Sequence, residues 1–438
     1  MPNLARISIW CSCFSILFLY PLIGENRPER LHWFQDQGLG LFIHWSLDSQ
    51  LGTVISHSMV GASEDYLDRF VNQLPSTFHP AKFDAHEWAR LARVVGIRYV
   101  VFTTKHHSGF AMFETSTTDF GILQTPFACD VTREVVEAFR AQGIAVGFYF
   151  SPDDFHFLRE QNILISRRRP EAQPPNNPEL MAHNRKQVRE LLTQYGPVDV
   201  MFFDGPAEGL LELTWEIQPD VVITRGVMQT PEIAPSTGQN LPDQTSSEPW
   251  EACFTMGTSW QYKPTNESYR SGTEWIEALV ETRAKGGNML LNIGPEPSGQ
   301  IPVEQEALLR EIGLWMFVNG EAIHGVRPWV ATNEGDVFYT YRKEAATVYA
   351  IVTGEPWPWG ERKTISISRV RASEETAITV LGQNDEVLEY RPEADPSTHW
   401  KQTESELQIS AVRAQRLYND RTWPNPVVLK ITAARPGN

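Results

Sequence analysis

Short apolar runs that stop on a polar residue recur through the first three quarters of the chain, each followed by a stretch with helical spacing. Gly40–Trp45, Arg98–Thr103, Ile144–Phe150, Val198–Phe203, Pro219–Thr224 and Met289–Ile293 read as strands. Near-continuous apolar runs of this length belong to parallel strands covered on both faces. The helices between them are marked by their ends. Asp84 caps a helix whose apolar face is Trp88, Leu91 and Ala92, and Gly96 stops it. Asp130 opens another that closes at Gly143, and a third runs from about 179 to 195. Ser271-Gly-Thr-Glu274 is a capping box opening a helix to Lys285, and Glu304 to Val318 forms a helix ended by Gly320. Alternating units in this number predict an α/β fold, a (β/α)8-like TIM barrel.

After about residue 330 the texture changes. Segments 337–341, 347–352, 364–368, 377–381, 407–410 and 427–432 are short β runs separated by turn residues, which predicts a C-terminal all-β sandwich. The expected domains are 25–328 for the catalytic barrel and 329–438 for the sandwich. Residues 1–24 read as a signal peptide: Arg6 supplies a positive start and Ile7 to Ile23 is almost wholly apolar. A secreted, periplasmic or lumenal location is therefore expected. The apolar stretch is short and lacks a basic flank just after it, so no stable membrane insertion is expected.

Composition narrows the partners. A net charge of −16 argues against nucleic acid and anionic membrane. No GxGxxG fingerprint or Walker loop stands in the chain. Cys11 and Cys13 lie in the leader; Cys129 and Cys253 remain, as a pair or as two free thiols.

The polar residues at strand ends carry the candidate chemistry, because that end of a β/α barrel holds the active site. Asp204, followed by Gly205, ends one run; His44 ends another; His106 and His107 end a third. Glu232 and Glu251 lie downstream, on or near the long segment 226–258. Two carboxylates facing one substrate serve as nucleophile and acid/base in a retaining glycosidase. The histidines could instead bind a metal, but adjacent residues on a strand point to opposite faces, and no acid stands near them in a metal-ligand spacing. Hydrogen bonding to sugar hydroxyls is the better account, with no metal and no cofactor. The second long loop, 152–178, carries Arg167-Arg-Arg169, which reads as a solvated face.

Taken together, Gly40-Leu-Phe-Ile-His-Trp45, Thr104-Lys-His-His-Ser-Gly-Phe110, Gly147-Phe-Tyr-Phe-Ser-Pro152, Tyr195-Gly-Pro and the run to Asp204-Gly205, Thr230-Pro-Glu232, Trp250-Glu-Ala-Cys253, Ser259-Trp-Gln-Tyr262 and Gly286-Gly-Asn-Met resemble the glycoside hydrolase family 29 α-L-fucosidases. The match runs in order from about 30 to 325. The resemblance implies a retaining exo-α-L-fucosidase without metal, acting on an α-L-fucosylated glycan. It implies Asp204 as nucleophile and Glu232 as acid/base, with Glu251 as second choice. His44, His106 and His107 match fucose-binding histidines; Tyr149 and Arg225 match further pocket positions; Trp45 and Glu64 are expected close by. Trp260 or Tyr262 would cover the C6 methyl. Ser108, Gln261 and Thr224 depart from the family pattern and bear on linkage preference. A non-catalytic fucose-binding pseudoenzyme and a metal-dependent hydrolase are the competing readings.

Overall fold

In the computed structural model, the described residues are 25–233, 240–417 and 422–437. The signal-like segment lies outside them. No helix among the described residues is long and apolar enough to cross a membrane.

Eight short parallel strands form the barrel wall. They are β1 (Leu39–Ile43), β2 (Tyr99–Lys105), β3 (Ala145–Phe150), β4 (Val200–Phe203), β5 (Val222–Ile223), β6 (Glu232–Ile233), β7 (Glu251–Thr255) and β8 (Asn288–Ile293). Their order is β5-β4-β3-β2-β1-β8-β7-β6, so β1 pairs with both β2 and β8. No ladder joins β5 to β6 among the described residues, and the wall has a seam there. The helices are α1 (Pro28–Gln37), α2 (Glu64–Asp68), α3 (Ala85–Val95), α4 (Val131–Ala141), α5 (Phe155–Glu160), α6 (Pro178–Gln194), α7 (Leu210–Ile217), α8 (Gly272–Ala284) and α9 (Val303–Asn319). None stands between β5 and β6, where only 224–231 connects the strands.

The helix signals acted as their chemistry requires. The Asp84 carboxylate accepts the backbone N–H groups of His86 and Glu87, and Gly96 takes φ 87° at the other end of α3. Asp130 accepts from Arg133 N, and Ser271 with Glu274 completes the capping box of α8. One strand escaped the sequence pattern. Glu251-Ala-Cys-Phe-Thr255 is a fully buried barrel strand, although it opens on a charged residue and reads as loop.

Inside the barrel, Phe42, Val101, Val200, Phe202, Val222, Cys253 and Leu290 form one apolar cluster. Tyr99 reaches across its N-terminal end. A side chain at Gly40 would meet the Tyr99 ring at 2.3 Å, so only glycine leaves room there. The outer core, between wall and helices, is the larger cluster and continues into the second domain.

That domain consists of separate antiparallel sheets, the largest of five strands, beginning with β9 (Arg327–Glu334), β10 (Val337–Arg342) and β11 (Thr347–Val352). Its first strand starts at Arg327, two residues before the expected boundary. The sandwich docks on α9 and the turn that follows it: the Trp315 indole donates to the Pro426 carbonyl at 2.8 Å, and Thr340 Oγ1 donates to Ala322 O at 2.8 Å.

Arg283, on α8, ties barrel and linker together. It is 1% exposed and has no carboxylate partner among the described residues. Instead it donates to the carbonyls of Ile323, Gly287, Gln35 and Val326 and to Asn288 Oδ1. Burial, with Arg327 nearby, lowers its pKa to about 10, still well above neutral. Arg283→Met would take a donor from five acceptors at once, of which Asn288 Oδ1 and Val326 O keep a second one, in Gly38 N and Arg327 Nη1. A loss of about 3 kcal/mol is expected, read as a shift in the urea midpoint. An unchanged midpoint would show that the clamp contributes nothing.

Candidate active site

Four strand ends converge at the C-terminal face of the barrel. Asp204 directly follows β4, and its N–H donates to the Phe150 carbonyl at 3.1 Å. Gly205 then takes φ 146°, a conformation open to glycine and little else, which lets the chain turn away and leaves the carboxylate at the lip. Tyr149, on β3, donates its hydroxyl to Asp204 Oδ2 at 2.8 Å. His107 Nε2 lies 3.4 Å from the same oxygen. Oδ1 faces two guanidinium groups, Arg225 at 3.3 Å and Arg167 at 3.8 Å. Burial alone would raise the Asp204 carboxyl; the hydrogen bond and charge of His107, then Arg225 and Arg167, outweigh it and hold the group well below the ordinary carboxylate range. Asp204 is therefore an anion, and Oδ1 is its less committed oxygen.

Arg225 lies just beyond β5. Its other terminal nitrogen pairs with Glu232 at the start of β6. One guanidinium thus holds both carboxylates across the seam. The flanking acids outweigh burial and raise the Arg225 pKa further. Exposure increases outward along this chain of contacts, from 0% at the His107 side chain to 13% at Asp204 and 26% at Glu232.

The histidines divide their roles by hydrogen bonding. The amide of Asn292 donates to the Trp260 carbonyl at 2.6 Å, so its Oδ1 accepts from His44 Nδ1, also at 2.6 Å. His44 Nε2 is left as an acceptor. His106 Nδ1 accepts the His107 backbone N–H at 2.9 Å, so its proton sits on Nε2, a donor. Burial lowers His44 to about 4, and burial with the neighbouring imidazoles holds His106 well below the ordinary histidine value. The two neutral rings lie 5.6 Å apart and present one acceptor and one donor, the pair a sugar hydroxyl requires. Trp260 closes the side of this pocket, its ring 5.1 Å from His44.

His106 and His107 both serve the pocket, contrary to the alternation expected along a strand. β2 ends at Lys105, and the chain has already turned. The turn is pinned from behind: Phe155 N and His156 N donate to the carbonyls of His107 and Ser108, and Lys105 is buried against Asp154 and Asn184. The imidazoles of His106 and His107 and the Asp204 carboxylate bring one ligand atom each within 4.8 Å of one another. Two guanidinium groups already face that carboxylate, so a divalent cation there would meet strong repulsion.

Several expectations are corrected. Trp45 is turned outward, because it alternates with His44. It is 0% exposed, packs its ring on Phe78, Phe83 and Trp88, and donates its indole N–H to the Glu296 carbonyl. Glu64 stands at the start of α2 with its side chain 82% exposed, near Arg159 rather than Asp204. Glu251 opens β7 at the N-terminal end of the barrel. It is 0% exposed and accepts the Tyr99 hydroxyl at 2.5 Å, so it belongs to the barrel floor and does not join the pair around Arg225. Burial raises it to about 7. Cys129 and Cys253 are both free.

Arg167 is the residue the sequence pattern concealed. Of the three consecutive arginines, Arg168 and Arg169 are exposed, while Arg167 folds back to the site. Its Nε donates to the buried Asp153 at 2.7 Å. The usable signal was Ser151-Pro-Asp-Asp154, another set of polar groups at the end of a buried strand. His107 Nδ1 lies 2.5 Å from Ser151 Oγ, which itself donates to Asp153 O.

A parallel β/α barrel that presents a mostly buried carboxylate, a second one through a shared arginine, and neutral imidazoles in one pocket has the architecture of a sugar-cleaving hydrolase. The α-L-fucosidase family model matches residues 25–321, and the chain belongs to that family of glycoside hydrolases. It is 30% identical over 375 residues to the plasma α-L-fucosidase of Rattus norvegicus, covering 76% of this chain and 79% of the rat protein. It is 27% identical to the α-L-fucosidase of Dictyostelium discoideum over 81% of this chain and 84% of that one. Among solved structures, α-L-fucosidase isoenzyme 1 from Paenibacillus thiaminolyticus superposes with a TM-score of 0.73 at 26% identity, over 92% of this chain and 98% of its own.

The placement of Glu251 yields a pH test. Its ordinary pKa is 4.5 and its folded value about 7. Across that window the folded protein keeps a proton that the unfolded chain has released, so stability falls as pH rises. The loss amounts to about 3 kcal/mol once pH passes the folded value. Glu251→Gln cannot lose such a proton. Its melting temperature relative to the native protein should therefore climb between pH 4.5 and pH 7.5. A constant difference would mean that the carboxyl is ionised throughout.

Proposed function

We propose that this fucosidase is an exo-acting, retaining enzyme that releases terminal α-L-fucose from oligosaccharides or glycoconjugates by double displacement. The observation that carries this reading is the shared arginine. Arg225 contacts Asp204 and Glu232 together, which sets a depressed, anionic carboxylate and a more exposed one at the same opening.

Asp204 is the nucleophile in this scheme. Its Oδ2 is held by Tyr149 and His107, so Oδ1 attacks the anomeric carbon. Glu232 gives its proton to the departing glycosidic oxygen, and a fucosyl ester forms on Asp204. Glu232 then takes a proton from water, which attacks the same carbon and releases fucose with its configuration retained. His44 and His106 grip hydroxyls, and Trp260 covers the apolar edge that carries the methyl group. Tyr149 and Arg225 keep the nucleophile ionised and oriented. Secretion, directed by residues 1–24, belongs to the same proposal.

Asp204→Gly should lower turnover of an aryl α-L-fucoside by at least about a thousandfold, with partial recovery in azide. Glu232→Ala should impair substrates with poor leaving groups more than activated aryl fucosides. NMR of the first product formed should show the α anomer. Normal turnover by the Asp204 variant, or the β anomer as first product, would overturn the mechanism.

A further inference from the structure

A second concavity lies on the barrel's catalytic face, between the segment after β1 and the segment after α5. Its volume is about 490 Å³, and Met59, Ala62, Leu67, Ile163, Leu164 and Ile165 supply its apolar lining. That is within the range of about 300–1,000 Å³ typical of ligand sites. Polar groups rim it, among them Glu64, Arg159 and Asn162. Arg159 is itself held by Asp68 and Glu64, which fixes the rim. Leu164 is 59% exposed and Val60 38%, apolar side chains left facing solvent beside the concavity. An extra side-chain carbon at Gly61 would meet nothing within 4 Å, so the space above it is open.

The two chain segments that wall this cleft run on to residues at the catalytic pocket. Ile165 stands two residues before Arg167, whose guanidinium reaches Asp204. Met59 stands two residues after His57. His57 is lowered by burial and then by the charges of Arg167 and His107, which places it at the same mouth. On the reading above, a terminal fucose fills the inner pocket, and the rest of the glycan leaves on the open side. The cleft offers an apolar floor for sugar C–H faces or an acetamido methyl, and fixed polar groups for hydroxyls.

We propose that this cleft is the aglycone subsite, that it binds the sugar residues to which the fucose is attached, and that Arg167 joins it to the reaction centre. The proposal rests on the fucosidase reading and assigns Glu64 to the rim of this cleft.

The test compares one variant on two kinds of substrate. Leu164→Asp changes an exposed side chain, and 4-nitrophenyl α-L-fucoside, too short to fill the cleft, reports whether the fold and the fucose pocket are intact. The second substrate is the best cleaved of a panel of fucosylated tri- to pentasaccharides of differing linkage. kcat/KM on the oligosaccharide should fall about tenfold while the aryl fucoside is cleaved as before. Leu164→Trp, which fills the cleft, should do the same. Equal losses on both substrates, or no loss on either, would overturn the assignment. A native protein that cleaves no fucoside at all would bring down the fucosidase reading itself, and the cleft with it.

Discussion

Keeping Asp204 ionised inside a largely dry pocket is the requirement around which the catalytic face is built. Removing a carboxylate from water costs several kcal/mol unless other groups replace the solvent. Here Tyr149, His107, Arg225 and Arg167 replace it, and they come from β3, from the turn after β2, from the end of β5 and from the loop after α5. No single segment could supply them. The barrel brings them together because parallel strands all end on one face, and the loops that follow have only to turn inward.

The same demand organises what lies behind the site. Arg167 is fixed by Asp153, His107 by Ser151, and the His106-His107 turn by the start of α5. Lys105, buried beneath, is neutralised by Asp154, which also caps α5. At the opposite end of the barrel a different solution operates. Glu251 has a tyrosine for company but no cation among its contacts, so burial favours the protonated acid. Two carboxylates in one barrel are thus held in opposite charge states by their surroundings.

Much of this was readable in the chain. Strand runs and caps gave the alternation, because buried parallel strands are apolar throughout and helix ends need side-chain acceptors. His44, His106, His107 and Asp204 announced themselves as polar residues at the ends of apolar runs. Other features escaped for physical reasons. Trp45 follows a pocket histidine, and only the pleat, which sends neighbours to opposite faces, decides that it belongs to the outer core. Glu251 looked like loop chemistry because its strand is short and begins with a charge. Arg167 was hidden among identical neighbours, since its role depends on how a long irregular segment folds back.

The seam between β5 and β6 has a mechanical meaning. Elsewhere the circumference of the barrel is set by backbone ladders, and those do not respond to chemistry at the lip. Across the seam the two carboxylates are tethered by a single guanidinium, a tether made of charge. In the proposed reaction, negative charge passes from Asp204 to Glu232 as the ester forms and Glu232 gives up its proton, and the same guanidinium stands beside the anion in both states. At that one point the separation of the two acids is set by side-chain charge and not by a backbone ladder, so it is open to adjustment by whatever charge the lip carries.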